Sequence, residues 1–444
     1  MKNSSINTYV INLKSRLDRR LHILREFRDK NEFSVQIVDA IKNENGTLGL
    51  WLTIKHILQN LIDNKSDYIL ICEDDHQFTE YYSKNNLFAQ IEEARIKNVD
   101  LLIGGASATK SLFQVSKSLV WIEGYTGNQF VIIFKHFFQV IIDAKFREND
   151  VADHKLSSLA STIFLIYPFI SLQKEFGYSD VTPSNAETGT VTDLFAKSSL
   201  AVQYILNSEA FYGFKSVTTN RETSNFSEFT IPTYVINLPE RVDRLRHIKE
   251  QFSGRSEFDV TYINACKHEI GAVGLWNSIR KVIQMGIDNE DDVLIICEDD
   301  HFFTNHYSKE MFFKNILEAH EQGIDVLSGG TSGGFEYCLP VTDERFWVNH
   351  FLATQFIIVY SKFFQKIIDS TYDEQVTADN FLSQLTSNKM VFYPFISEQK
   401  NFGYSDVTYI HEEIEDLVVK MFDTASNRLS NIQKAYNQYK LHLS

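Results

Sequence analysis

Apolar and polar positions recur with two periods along this chain, and the change of period marks its elements. Thr8 to Leu13 is a short apolar run that predicts a strand. Arg16 to about Arg28 predicts a helix, with Leu17, Leu21, Leu24 and Phe27 at helical spacing and therefore expected on its packed face. Ser34 to Ala40 reads as a strand, Leu48 to about Leu61 as an apolar-faced helix after Gly46, and Asp67 to Cys72 as a strand. Leu87 to Lys97 continues as a helix, Val99 to Ile103 as a strand ending in Gly104-Gly105, Phe130 to Phe134 as a strand and Lys135 to Asp143 as a helix. Strands separated by helical stretches predict α/β architecture, with mostly parallel sheets covered by helices.

The pattern then starts again. Thr8 begins TYVINL and so does Thr233, 225 positions later. The same offset joins Arg16, Asp18 and Arg19 to Arg241, Asp243 and Arg244. After one inserted residue it becomes 226, pairing Gln129 with Gln355 and Asp153 with Asp379. YPFISLQKEFGYSDVT at Tyr167 answers YPFISEQKNFGYSDVT at Tyr393. So long a period is a duplicated domain rather than a solenoid. It predicts a first domain over 1–215, closing with a helix from Val191 to Leu206. A linker rich in Ser, Thr and Asn follows over 216–231, then a second domain over 232–444 with a helical tail from about Glu412 to Leu441.

One stretch that carries chemistry occurs in both copies. ICEDDH stands at Ile71–His76 and at Ile296–His301, each after an apolar strand. Strand alternation puts Glu73 and Asp75 on one face and Asp74 on the other, and likewise Glu298 and Asp300 against Asp299. Two carboxylates at the carboxyl end of a strand can hold a hard divalent cation, and ligands of open α/β sheets bind at that end. An acidic run there is also what a solvated loop or a helix N-cap carries. The TYVINLxxRxDR segment runs from strand into helix, a junction suited to a phosphate or nucleotide. Arg16 and Arg19 share a helical face there, as do Arg241 and Arg244, and a solvated basic face paired with Asp18 or Asp243 is the plainer reading.

Composition narrows the classes. In 444 residues, 43% are apolar and 23% charged, as in ordinary soluble globular proteins. The net charge of -15 argues against general binding to nucleic acid or an anionic membrane. Cys72, Cys266, Cys297 and Cys338 lack CxxC spacing, so neither a disulfide framework nor a zinc site is expected. No run reaches the length of a transmembrane segment and the N-terminus lacks a secretory h-region, which predicts a cytoplasmic protein with at most peripheral membrane contact.

The motifs in order are YVINLxxRxDR, then G-x-x-G with Ser or Thr four residues on (Gly46, Gly49, Thr53; Gly271, Gly274, Ser278), then a strand with EDD, then TQFII at Thr354. Together they resemble glycosyltransferase family 25, which includes lipopolysaccharide and collagen galactosyltransferases. The resemblance covers most of each half. It implies two tandem GT-A-like, Rossmann-like domains that use a UDP-sugar donor, with galactose or glucose as the sugar, and Mn2+ or Mg2+. The acceptor would be a hydroxyl of a glycan or glycolipid, in bacterial lipopolysaccharide or another surface polysaccharide. By the same resemblance the metal ligands are Glu73, Asp75, Glu298 and Asp300, with His411 as a further ligand in the second copy. Asn12, Arg16, Arg19, Asp74, Asn237, Arg241, Arg244, Asp299, Gln355, Ser405 and Asp406 would surround the nucleotide-sugar. Asp379, in ADNFL, and Asp153, in ADHKL, would be general bases, or else N-caps of the helices that follow.

Two departures bear on this. Ile54 and Ile279 stand where the family often has His, and Asn185 replaces His411 in the first copy, which favours the second copy if one alone is active. His76 and His301 read as structural. Two other classes stay open: non-catalytic nucleotide-sugar or glycan-binding modules, and a metal-dependent phosphohydrolase using the same carboxylates.

Overall fold

The computed structural model describes residues 5–62, 66–178, 187–217, 226, 229–403 and 417–440. It divides into two compact units, Met1–Asn207 with Asn437–Ser444, and Ser208–Tyr436. The boundary lies within the helix Thr190–Val217, which runs past the Leu206 expected from sequence. Most of the stretch expected as a linker lies outside the described residues.

Each unit is built on one sheet of eight strands, and the strand order is the same in both. In the first unit it runs Phe33–Asp39, Ile6–Asn12, Tyr68–Glu73, Phe130–Phe134, Leu101–Ile103, Ile163–Ile166, Leu119–Ile122, Leu112–Gln114. Phe130–Phe134 and Leu119–Ile122 are antiparallel to both of their neighbours, and the remaining strands share one direction. The α/β class with a mostly parallel sheet is therefore as the periodicity predicts. The second unit repeats the pattern from Phe258–Asn264 to Cys338–Thr342.

The strands that carry the acidic motif lie inside the sheet. Tyr68–Glu73 and Val293–Glu298 bury their four middle residues without alternation, as strands covered on both faces must. Their neighbours set the site. Ile11 lies beside Glu73, so Asn12 reaches the residue after it. On the other side Phe130 lies opposite Cys72 and Phe356 opposite Cys297, which brings 128–129 and 354–355 against the glutamates.

The G-x-x-G motif has a packing origin. A Cβ on Gly49 would meet the Ile41 carbonyl oxygen at 2.6 Å, and one on Gly274 the Cys266 carbonyl at 2.6 Å. The hydroxyl of Thr53 or Ser278 donates to that glycine's own carbonyl and accepts from the Ile41 or Cys266 N–H. The motif thus clamps the loop that precedes the helix onto the helix's first turns. Ile54 and Ile279, at the family's His position, are buried core residues.

The first helix, Leu17–Glu26, corrects the sequence expectation. Phe27 just beyond it is buried, but Leu17, Leu21 and Leu24 are 66%, 55% and 45% exposed. The packed face is instead Arg19, His22 and Ile23. Helical spacing identifies a stripe, and the buried ion pair of Arg19 determines which stripe turns inward.

Candidate functional site

The strand ends at Glu73, and Asp74-Asp75 form a turn before the next strand, His76–Phe78. Strand alternation therefore stops one residue too early to separate the carboxylates, which corrects the expectation that Asp74 points away. Arg19 Nη1 donates to Asp74 Oδ1 at 3.0 Å and to Asp75 Oδ2 at 2.8 Å. Asn12 Nδ2 donates to Asp74 Oδ2 at 2.8 Å. The second unit repeats this: Arg244 Nη1 meets Asp299 Oδ1 at 3.1 Å and Asp300 Oδ2 at 3.2 Å, and Asn237 meets Asp299 at 2.8 Å. Arg19 and Arg244 are 7% and 5% exposed, under the rings of Phe176 and Phe402. Neither is a solvated arginine reaching for phosphate. Each is the internal counter-ion of an aspartate pair, and Asn12, Asn237, Asp74 and Asp299 belong to the same buried network. Burial alone would weaken the charge of Arg19, but Asp75 and Asp74 more than offset it and raise its pKa.

Glu298 and Asp300 are left short of positive charge. Burial and then the charge of Asp300 push Glu298 up to about 8, although the Thr354 hydroxyl, donating at 2.7 Å, works the other way. Burial raises Asp300 to about 6 against the pull of Arg244. Asp75 is likewise raised to about 6 by burial against Arg19, and Glu73 lies well above the usual range through burial and Asp75. One oxygen of each second aspartate, Asp75 Oδ1 and Asp300 Oδ1, is buried with no hydrogen-bond partner among the described residues.

A cleft of about 760 Å³ in the second unit collects these groups. Glu298, Asp299 and Asp300 line it with Arg241, Arg244, Lys267, Lys400, Thr354 and Asp379. Leu275, Leu352, Val418 and Met421 give it an apolar side. Lys267, Lys400 and Thr354 are polar groups that sequence reasoning did not name as site residues. The one available signal was the TQFII position itself, where Thr354 precedes the residue that pairs with the glutamate strand. Arg241, at the N-cap position of Val242–Phe252, lies 3.9 Å from Asp299. Arg16 holds the matching position and lies over the Tyr178 ring.

The remaining residues singled out from sequence fall in several places. Gln355 is fully buried and does not line the cleft; its amide donates to the Gly330 and Ser397 carbonyls, as Gln129 donates to Gly105. It ties loops together behind the site. Asp379 lines the cleft, but Oδ2 accepts from the Ala353 N–H at 2.7 Å and Oδ1 from the Asn380 N–H at 2.8 Å. Asp153 is held in the same way by Gly127 and His154. Each lies in the first turn of its helix rather than at the N-cap, a position where helix dipole and carboxylate attract. His76 and His301 are fully buried in aromatic clusters and hydrogen-bonded to Ser171 and Ser397, with His76 lowered to about 3 by burial, so they are structural. Ser405, Asp406 and His411 lie outside the described residues.

A divalent cation has a partial ligand set here. Among the described residues no group of three His, Cys, Asp or Glu side chains is arranged to hold a metal. A hard cation shared with a phosphate needs only one or two protein carboxylates. The unpartnered Asp300 Oδ1 and the charge-starved Glu298 fit that requirement, as do Asp75 and Glu73.

No protein-family model and no curated protein matches this chain. Among solved structures it is similar to apo UDP-glucose pyrophosphorylase, at 9% identity and TM-score 0.26 over 46% of this chain and 82% of that one. UDP-glucose pyrophosphorylase complexed with UDP-glucose gives 10% identity and TM-score 0.26 over 45% and 81%. HddC from Yersinia pseudotuberculosis gives 11% identity and TM-score 0.19 over 32% and 80%. Likenesses this distant carry no argument about activity. Among the described residues no helix is long and apolar enough to cross a membrane.

Proposed function

We propose that this protein transfers a sugar from a UDP-sugar to a hydroxyl of a glycan or glycolipid acceptor, with the second unit's cleft as a transfer site. The observation that carries the reading is the gathering of Glu298, Asp300, Arg241, Lys267, Lys400 and Asp379 around one cleft at the carboxyl end of an inner sheet strand. That is the position where α/β sheets bind nucleotides, and the motif order resembling glycosyltransferase family 25 points to the same chemistry.

Within this reading Glu298 and Asp300 hold Mn2+ or Mg2+ in the second unit, and Glu73 and Asp75 do so in the first. The cation would neutralise the donor diphosphate and stabilise charge on the departing UDP. Arg241, Lys267 and Lys400 supply further positive charge in the cleft for phosphate. Arg244, which also lines the cleft, holds Asp299 and Asp300 in place. Asp379 orients the Ala353–Thr354 segment, and Thr354 in turn orients Glu298. Each Asp379 oxygen accepts one backbone N–H and keeps a second lone pair with which it could serve as general base toward an acceptor hydroxyl.

The test is UDP release from a panel of UDP-sugars with Mn2+, using the intact chain, Asp75→Ala and Asp300→Ala. Loss of turnover in Asp300→Ala supports the reading, and loss of a different sugar in Asp75→Ala extends it to both units. The backbone N–H groups that engage both oxygens of Asp379 and of Asp153 favour one second reading, nucleotide-sugar binding without turnover. Calorimetric UDP binding with no release from any donor or added glycan acceptor would establish that instead.

A further inference from the structure

The exposed leucines of Leu17–Glu26 are arranged, not scattered. At 100° per residue Leu17, Leu21 and Leu24 fall within one narrow stripe, and Arg28 follows in the turn that ends the helix. Arg20 flanks the stripe on one side and Arg25 on the other. Leu17, Leu21, Leu24, Arg25 and Arg28 are exposed and Arg20 is half-buried. The acidic residues of the helix are engaged by other segments: Asp18 accepts from the Tyr178 hydroxyl at 2.9 Å and Glu26, on the packed side, from the Phe78 N–H at 3.0 Å, while Asp29 lies exposed in the turn after the helix. The matched helix of the second unit, Val242–Phe252, keeps Val242, 60% exposed, but has Arg246 and Lys249 where the first has Leu21 and Leu24. The leucine stripe is therefore no requirement of the fold.

We propose that this face of the first unit docks on an anionic lipid surface, lying in the interface with its leucines among the acyl chains and Arg20, Arg25 and Arg28 among the headgroups. Apolar residues bordered by arginines on an exposed helix face are the composition of an interfacial helix, and arginine stems reach outward from such a face to the headgroups. Two observations favour lipid over protein. A stripe of three leucines on one helix falls far short of the about 800 Å² per partner that a stable protein interface buries. In an antiparallel pairing of two copies the bordering arginines would face one another and repel. The net charge of -15 opposes tight general binding, so the docking is weak and depends on salt.

The test is co-sedimentation of the full chain with vesicles of phosphatidylcholine alone or with about 30% phosphatidylglycerol, at low and physiological salt. The expected result is binding to anionic vesicles that weakens with salt. Leu21→Ser with Leu24→Ser should reduce it by about tenfold or more, and Arg25→Glu with Arg28→Glu by a similar factor. These side chains are exposed, so thermal melting of both variants should match the parent. Absence of binding to any vesicle, or binding unchanged by the leucine variant, overturns the proposal. So does concentration-dependent dimerisation that the leucine variant abolishes, which would assign the face to a second copy of the chain.

Discussion

The two acidic clusters share a frame and differ in how tightly it is closed. In the first unit Gln173 donates to Asp75 Oδ2 at 3.1 Å beside Arg19, and the Asp75 side chain is 7% exposed. In the second, the matching Gln399 lines the cleft and the Asp300 side chain is 15% exposed. Thr354 donates to Glu298, whereas Asn128 at the matching position accepts from the Tyr125 hydroxyl, and its amide nitrogen is buried without a partner among the described residues. Before these residues the first unit has Gly127 at φ +101° and the second has Ala353 at φ +77°, a conformation unfavourable for a residue with a Cβ. The second unit thus retains local strain and offers its carboxylates more openly. The two units share the charged skeleton and differ in the neutral residues around it.

The comparison can be broken first at the arginines. Arg244→Ala removes the close counter-ion of two buried aspartates, leaving Arg241 at 3.9 Å from Asp299, and should destabilise the second unit by roughly 3–5 kcal/mol. Arg19→Ala should do the same to the first unit, somewhat less because Gln173 still holds Asp75. Hydrogen exchange resolved by peptide reports the two units separately. Equal effects would show that Gln173 contributes no more to the first unit than Arg241 does to the second.

Next comes pH. The folded pKa of Glu298, about 8, exceeds its ordinary 4.5, so the folded state holds the proton more tightly. The stability this contributes is present below about pH 4.5 and is lost as pH rises toward about 8. Glu298→Gln should therefore raise the second unit's melting temperature at pH 8, leave it nearly unchanged at pH 4.5, and flatten the slope between. Mn2+ should raise the parent's melting temperature more at pH 8 than at pH 5. A parent whose stability rises over that window would contradict the buried carboxylate pair.

The backbone difference is smaller. Ala353→Gly should stabilise the second unit by about 1 kcal/mol by relieving the positive φ. Gly127→Ala should cost the first unit more than that, because its Cβ would also meet Gln129 Oε1 at 2.8 Å. Thermal melting with both substitutions checks the asymmetry. The smallest effect is expected from Thr354→Val, which removes one hydrogen bond, about 0.5–1.5 kcal/mol, and should move the Glu298 titration further upward.

Much of this was legible along the chain, because the relevant physics is local. Apolar runs at period two and period three to four place Phe130–Phe134 and Lys135–Asp143 where the structure has them. The repeat offset relates the motifs of the two halves, and both sheets have the same strand order. The sequence alone also marked the EDD motif as the place where charge concentrates. Orientation was not legible. Asp74 does not oppose Asp75, since the strand stops at Glu73 and a turn brings both aspartates to one arginine. Leu17, Leu21 and Leu24 face outward, since burying Arg19 against those aspartates fixes the rotation of the helix. Gln355 lies behind the site, since the strand it precedes runs antiparallel to the glutamate strand and its side chain meets the Gly330 and Ser397 carbonyls there. Sequence determines periodicity and composition because these depend on near neighbours. The partner of each buried charge is chosen by strands and helices distant along the chain, and only the tertiary structure decides it.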